Sequence, residues 1–155
     1  MTNYYIEEEE GSLVAASCDK EKSPFFTIMH KEEFLRQKEE LSHSEVLLRS
    51  LGAIRYCKAE WYKDCLVGTI RMPQKRAERT PSLAFGFYML KEQLVFIEDV
   101  GDLKQWVEKQ LPMLQELECP DQLLLLLMEQ MIEEDSCYLS QLEKAMERLE
   151  DELNC

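Results

Sequence analysis

The sequence predicts a mixed α/β fold (an α+β sheet domain) that ends in a long acidic helix. Three observations carry this. Residues 1 to about 100 hold short β-rich runs separated by Pro, Gly and charged turns. Helical spacing takes over after Gly101. From Pro120 onward, positions 125, 128, 132, 135, 139, 142, 146, 149 and 153 alternate steps of three and four. Eight of these nine positions are apolar, and Asp135 is the exception, so the row reads as a helix seam that packs on another helix.

The elements follow in order. Tyr4 to Ile6 suits a short first strand, and Glu7 to Gly11 an exposed acidic turn. Phe25 to Met29 is β-rich and follows the breaker Pro24. Lys31 to Leu51 carries helix formers with Phe34, Leu41, Leu48 and Leu51 as its apolar positions. Ser42 and Ser44 break or recap it, and Gly52 is a natural C-cap. Strands are expected at Ile54–Trp61, Cys65–Met72, Leu83–Leu90 and Leu94–Ile97. Tyr62–Asp64 and Lys91–Gln93 would be the tight connections. Trp61, Phe85, Phe87, Tyr88 and Phe96 are expected in the core. Asp102 with Gln105 three residues on is a capping-box arrangement. Pro112 should kink or restart that helix, and Pro120 should open the last one, with Asp121 favoured by the helix dipole. The division expected is an α/β domain over residues 1–118 and a long amphipathic acidic helix over 119–155, the start of a truncated helical subdomain.

Charge and composition narrow the function. The chain has 155 residues and a net charge of −13, which disfavours nucleic acid and anionic membrane surfaces as partners. From Glu129 onward, nine acidic residues stand against Lys144 and Arg148, a net −7. Six cysteines contain no C-x-x-C pair, and His30 and His43 lie near no cysteine in sequence, so the sequence offers no zinc motif. The polar, acidic start is not a signal peptide, and the expected compartment is reducing. The apolar run Leu123–Met128 is far short of the roughly 20 residues a membrane span needs. No nucleophile elbow, phosphate loop, dinucleotide fingerprint or H-E-x-x-H occurs, so a non-enzymatic role is expected.

The run Ala59-Glu60-Trp61-Tyr62-Lys63-Asp64-Cys65-Leu66-Val67-Gly68-Thr69-Ile70-Arg71-Met72-Pro73 resembles the acidic-aromatic turn and following strand in the cytoplasmic domain of CorA-type magnesium/cobalt transporters. The strand pair Leu83–Ile97 is similar to that family's next hairpin, and Leu123–Leu153 to its first long helix after the sheet. The likeness spans residues 54–153 and, more loosely, Phe25–Leu51. The resemblance implies an α/β/α sandwich on the cytoplasmic side of the cell membrane. It also implies assembly as a pentamer, sensing of Mg²⁺ at subunit boundaries, and a pore in the chain's own stalk and membrane spans. Those parts, with their Gly-Met-Asn signature, are not in this sequence. The loop after Met72-Pro73, where family members can carry a regulatory acidic residue, holds Lys75, Arg76 and Arg79 beside Glu78.

The expected function is thus a cytoplasmic regulatory domain of a divalent-cation channel or transporter, unable to conduct ions alone. Leu139, Leu142, Met146, Leu149 and Leu153 are the expected partner-helix interface. Asp135, which interrupts the seam, reads first as a polar register break facing solvent. The sharper reading pairs it with Glu134 as carboxylates for Mg²⁺, which takes oxygen ligands and retains waters. The alternative function is a stand-alone module whose seam binds an unrelated helix, with no metal role.

Overall fold

A computed structural model describes residues 1–6, 13–16, 23–72, 82–114 and 117–154. The acidic turn at Glu7–Gly11 and the basic loop at Gln74–Arg79 lie outside the described residues. The elements are β1 (Thr2–Ile6), β2 (Leu13–Ala16), β3 (Phe26–His30), α1 (Lys31–Gln37), α2 (Ser44–Leu48), β4 (Lys58–Trp61), β5 (Leu66–Met72), β6 (Leu83–Met89), β7 (Leu94–Val100), α3 (Leu103–Gln110) and α4 (Pro120–Leu153). One mixed sheet runs β2-β1-β3-β7-β6-β5-β4. Among the described residues only β3 and β7 pair parallel, with Phe26 opposite Leu94 and Ile28 opposite Phe96.

Strand alternation sorts the side chains onto two faces, and each face carries helices. Phe26, Ile28, Phe85, Phe87, Leu94 and Phe96 form one core with Leu103, Trp106 and Val107 of α3 and Leu123, Leu124, Leu127 and Met131 of α4. Met29, Val67, Tyr88, Val95 and Ile97 face the other way, beneath Phe34 of α1 and Val46 and Leu47 of α2. The chain is therefore an α/β/α sandwich. Edge-to-face packing of Phe26 on Phe96, with centroids 5.0 Å apart, ties the parallel pair together.

Local chemistry sets several helix boundaries, but Gly52 is not the C-cap expected, because α2 already ends at Leu48 and Arg49 takes that position. The Lys31–Leu51 segment is two helices, broken over residues 38–43. Gly52 follows the second at φ +89°, and its N–H donates to Asp99 Oδ2 at 2.8 Å. The buried Asp99 carboxylate also lies 3.6 Å from Lys31 Nζ, so one β7 side chain fixes both the start of α1 and the turn after α2. Asp102 accepts from the Gln105 N–H at 2.9 Å and caps α3. Pro112 falls in a single 3₁₀ turn (Leu111–Met113), and Pro120 is the first residue of α4.

Three expectations are corrected. The strand expected over Ile54–Trp61 begins only at Lys58. The preceding carbonyls are taken by β5 side chains instead of a ladder. Arg71 Nη1 donates to Ile54 O at 2.6 Å, and Thr69 Oγ1 to Tyr56 O at 3.2 Å. Trp61 is not core but 77% exposed, because β4 is the sheet's last strand and the helices cover strands nearer its middle. Finally, the sheet has a strand that the sequence did not announce, β2, paired antiparallel with β1.

Candidate functional site

Helix α4 carries two apolar faces of opposite fate. Leu123, Leu124, Leu127 and Met131 recur at helical spacing and are buried against the sheet and α3. Leu125 lies two residues from Leu123, about 200° around the helix, and so points away from the sheet. The same phase continues through Met128, Ile132, Leu139, Leu142, Met146, Leu149 and Leu153. All eight of these apolar side chains are exposed, from 41% at Met128 to 84% at Leu153. The seam that the sequence placed against another helix thus has no cover among the described residues. A helix of 34 residues is about 50 Å long, and scattered surface leucines do not explain a straight apolar row along it. Steps of three and four match the contact row of a helix bundle or coiled coil.

The electrostatics of this helix are one-sided. Glu150, Asp151 and Glu152 sit in its last turns, where the dipole is already negative, and no basic residue occupies the last turn. The predicted interface residues Leu139, Leu142, Met146, Leu149 and Leu153 therefore stand on an exposed row between acidic flanks.

Asp135 is exposed on this row, and Glu134 precedes it in α4, with its side chain outside the described residues. Adjacent positions on a helix are offset by about 100° around its axis. The pair suits a water-retaining Mg²⁺ only where a second helix adds oxygens.

Among the described residues, one group of three possible metal ligands comes together, which sequence spacing does not reveal. His43, Asp64 and Cys65 each place a ligand atom within 4.8 Å of the others. His43 stands just before α2 in the left-handed region, at φ 59° and ψ 28°. That conformation costs a residue other than glycine about 1–3 kcal/mol, although histidine is among those that tolerate it. Its ring stacks on Tyr62, with centroids 3.7 Å apart and planes within 11°. Its Nε2 is 3.3 Å from Asp64 Oδ1, and its Nδ1 is 4.0 Å from Glu45 Oε1. The turn between β4 and β5, closed by the Tyr62 N–H donating to Cys65 O at 2.8 Å, brings Asp64 and Cys65 to this ring.

The group holds no activated nucleophile. Asp64 is held below the usual carboxylate range, first by a hydrogen bond from its own backbone N–H and then by His43. Cys65 is buried, and burial followed by the Asp64 charge pushes its thiol up, the reverse of an activated catalytic cysteine. Nitrogen and sulfur donors do not fit Mg²⁺, so this group is not the magnesium site that the CorA resemblance implies. Proximity in the fold between positions 22 apart in the chain, His43 and Cys65, is what sequence spacing missed.

No protein-family model matches this chain, and no curated protein matches it in sequence. No helix among the described residues is long and apolar enough to cross a membrane.

Proposed function

We propose that this chain is the cytoplasmic regulatory domain of a CorA-type divalent-cation channel or transporter, joining subunits through α4 and responding to Mg²⁺. In this reading the pore belongs to stalk and membrane segments outside the sequence, and the chain does not conduct ions itself. The observation that carries the proposal is the exposed row from Leu125 to Leu153 on a net-acidic helix. Such a row is stable in water only when another helix covers it. The order of elements supports the same reading, since an α/β/α sandwich leads directly into this helix.

Within the proposal, Mg²⁺ acts where acidic helices of neighbouring subunits approach. Glu134 and Asp135 from two copies would supply oxygens that one copy lacks, and the cation would offset the repulsion between them. The test is the thermal midpoint and the mass in solution, with and without millimolar Mg²⁺. A ligand that binds only the folded, assembled state raises the midpoint. The expected result is a rise in both, lost in the double variant Glu134→Gln/Asp135→Asn. Association through the row with no response to Mg²⁺ would replace this reading by a helix-binding module without a metal role.

A further inference from the structure

The structure assigns a transition-metal site, for Zn²⁺ or a cation of similar chemistry, to His43, Asp64 and Cys65. This inference does not rest on the Mg²⁺ reading, because it uses other donors on other elements.

An imidazole nitrogen, a carboxylate oxygen and a thiolate sulfur are a zinc donor set, and their charges balance a divalent ion once the thiol proton leaves to solvent. Zinc bonds of about 2.0–2.3 Å require ligand atoms within roughly 4 Å of one another. His43 Nε2 and Asp64 Oδ1, 3.3 Å apart, already meet this requirement. The whole set lies within 4.8 Å, so closure needs about 1 Å of side-chain movement. Cys65 is buried, while Asp64 and His43 reach solvent, which leaves a fourth position to water.

A further feature supports the assignment. The His43 ring is held before any ion arrives. It stacks on Tyr62, whose hydroxyl is itself tied to Glu60 Oε2 at 2.7 Å. With Nε2 turned to Asp64, Nδ1 lies on the side of Glu45, whose Oε1 is 4.0 Å away.

The experiment is a Co²⁺ titration of the reduced 155-residue chain, followed by absorbance. One equivalent should produce a thiolate-to-cobalt charge-transfer band and the strong visible bands of a four-coordinate ion, both removed by Zn²⁺ and neither by millimolar Mg²⁺. Cys65→Ala should abolish the charge-transfer band. His43→Asn, which keeps a side chain tolerant of the left-handed backbone, should weaken binding more than about 100-fold, since even outer partners of such sites contribute about 10–100-fold. Asp64→Asn changes a solvent-reaching side chain and gives the same test if Cys65→Ala does not fold. A band that survives all three variants and disappears with Cys57→Ser or Cys137→Ser, both exposed cysteines, overturns the assignment. So does a Co²⁺ spectrum with no thiolate band.

Discussion

Leu47 of α2 seats its side chain on the bare backbone of Gly86 in β6. A Cβ at Gly86 would lie 3.0 Å from Leu47 Cδ1 and 3.1 Å from Cδ2, so this contact sets how closely α2 approaches the sheet. Gly86→Val is expected to destabilise the fold by about 1–3 kcal/mol through overpacking. Shortening the partner as well, in Gly86→Val/Leu47→Ala, should cost less than the two single changes added together, because the residues share one contact. Denaturant melts of the four proteins measure this. Strict additivity would mean that the helix sits elsewhere.

The two faces of α4 should respond differently to the same substitution. Leu127 is fully buried, and Leu127→Ala should cost about 2–5 kcal/mol. Leu139 is 63% exposed, and Leu139→Ala should leave the dilute chain within about 0.5 kcal/mol of the parent. It should instead weaken self-association, read as a lower mass at high concentration. Equal destabilisation by both changes would place the exposed row inside the monomer's core and remove the basis for subunit assembly.

Much of the fold was legible because its signals are local. Leu94–Ile97 is apolar at every position, as a strand covered on both faces must be, and Asp102 and Pro120 mark helix starts by their own chemistry. What was not legible depends on order in space. Trp61 reads as core by composition, and only the sheet order shows that its strand is the edge. Leu123 to Met128 is wholly apolar, so it has no phase of its own. Extending the row from Leu153 back to Leu125 therefore concealed the docking face at Leu123, Leu127 and Met131. The His43–Cys65 approach comes from packing a helix break against a hairpin turn, which no spacing rule encodes.

The buried tyrosines predict an alkaline limit to stability. Tyr4, whose hydroxyl lies 3.3 Å from Glu108 Oε1, has its phenol pushed up, by burial first and then by the Glu108 charge. Tyr88 is pushed up chiefly by burial. A folded-state pKa above the unfolded value of about 10 means that the stabilisation is fully present below pH 10 and is lost as pH rises further. Phenolate absorbance from these two residues should therefore appear together with loss of far-ultraviolet ellipticity. Tyr4→Phe and Tyr88→Phe should each shift the alkaline midpoint upward. A full tyrosine titration with the fold still intact would contradict the buried positions.

Stability along α4 should fall from its start to its end. The first turns are anchored by Leu123, Leu127 and Met131, whereas beyond Met131 the described side chains are exposed, apart from the half-buried Tyr138. Repulsion between carboxylates four residues apart, such as Glu143 with Glu147 and Glu147 with Asp151, costs a few tenths of a kcal/mol per pair, and the acidic last turns oppose the dipole. In proteins most helical stability comes from packing of an amphipathic face, and this part of α4 has no such packing among the described residues. In dilute solution, backbone amides beyond about residue 135 should then exchange with deuterium well before those of 123–131. At concentrations where the exposed row is covered, that difference should shrink. Met146→Glu, which puts a charge on the row, should keep exchange fast at any concentration. Uniform protection along α4 in the dilute chain would show that the helix needs no partner, and the exposed row would then have no structural reason to be apolar.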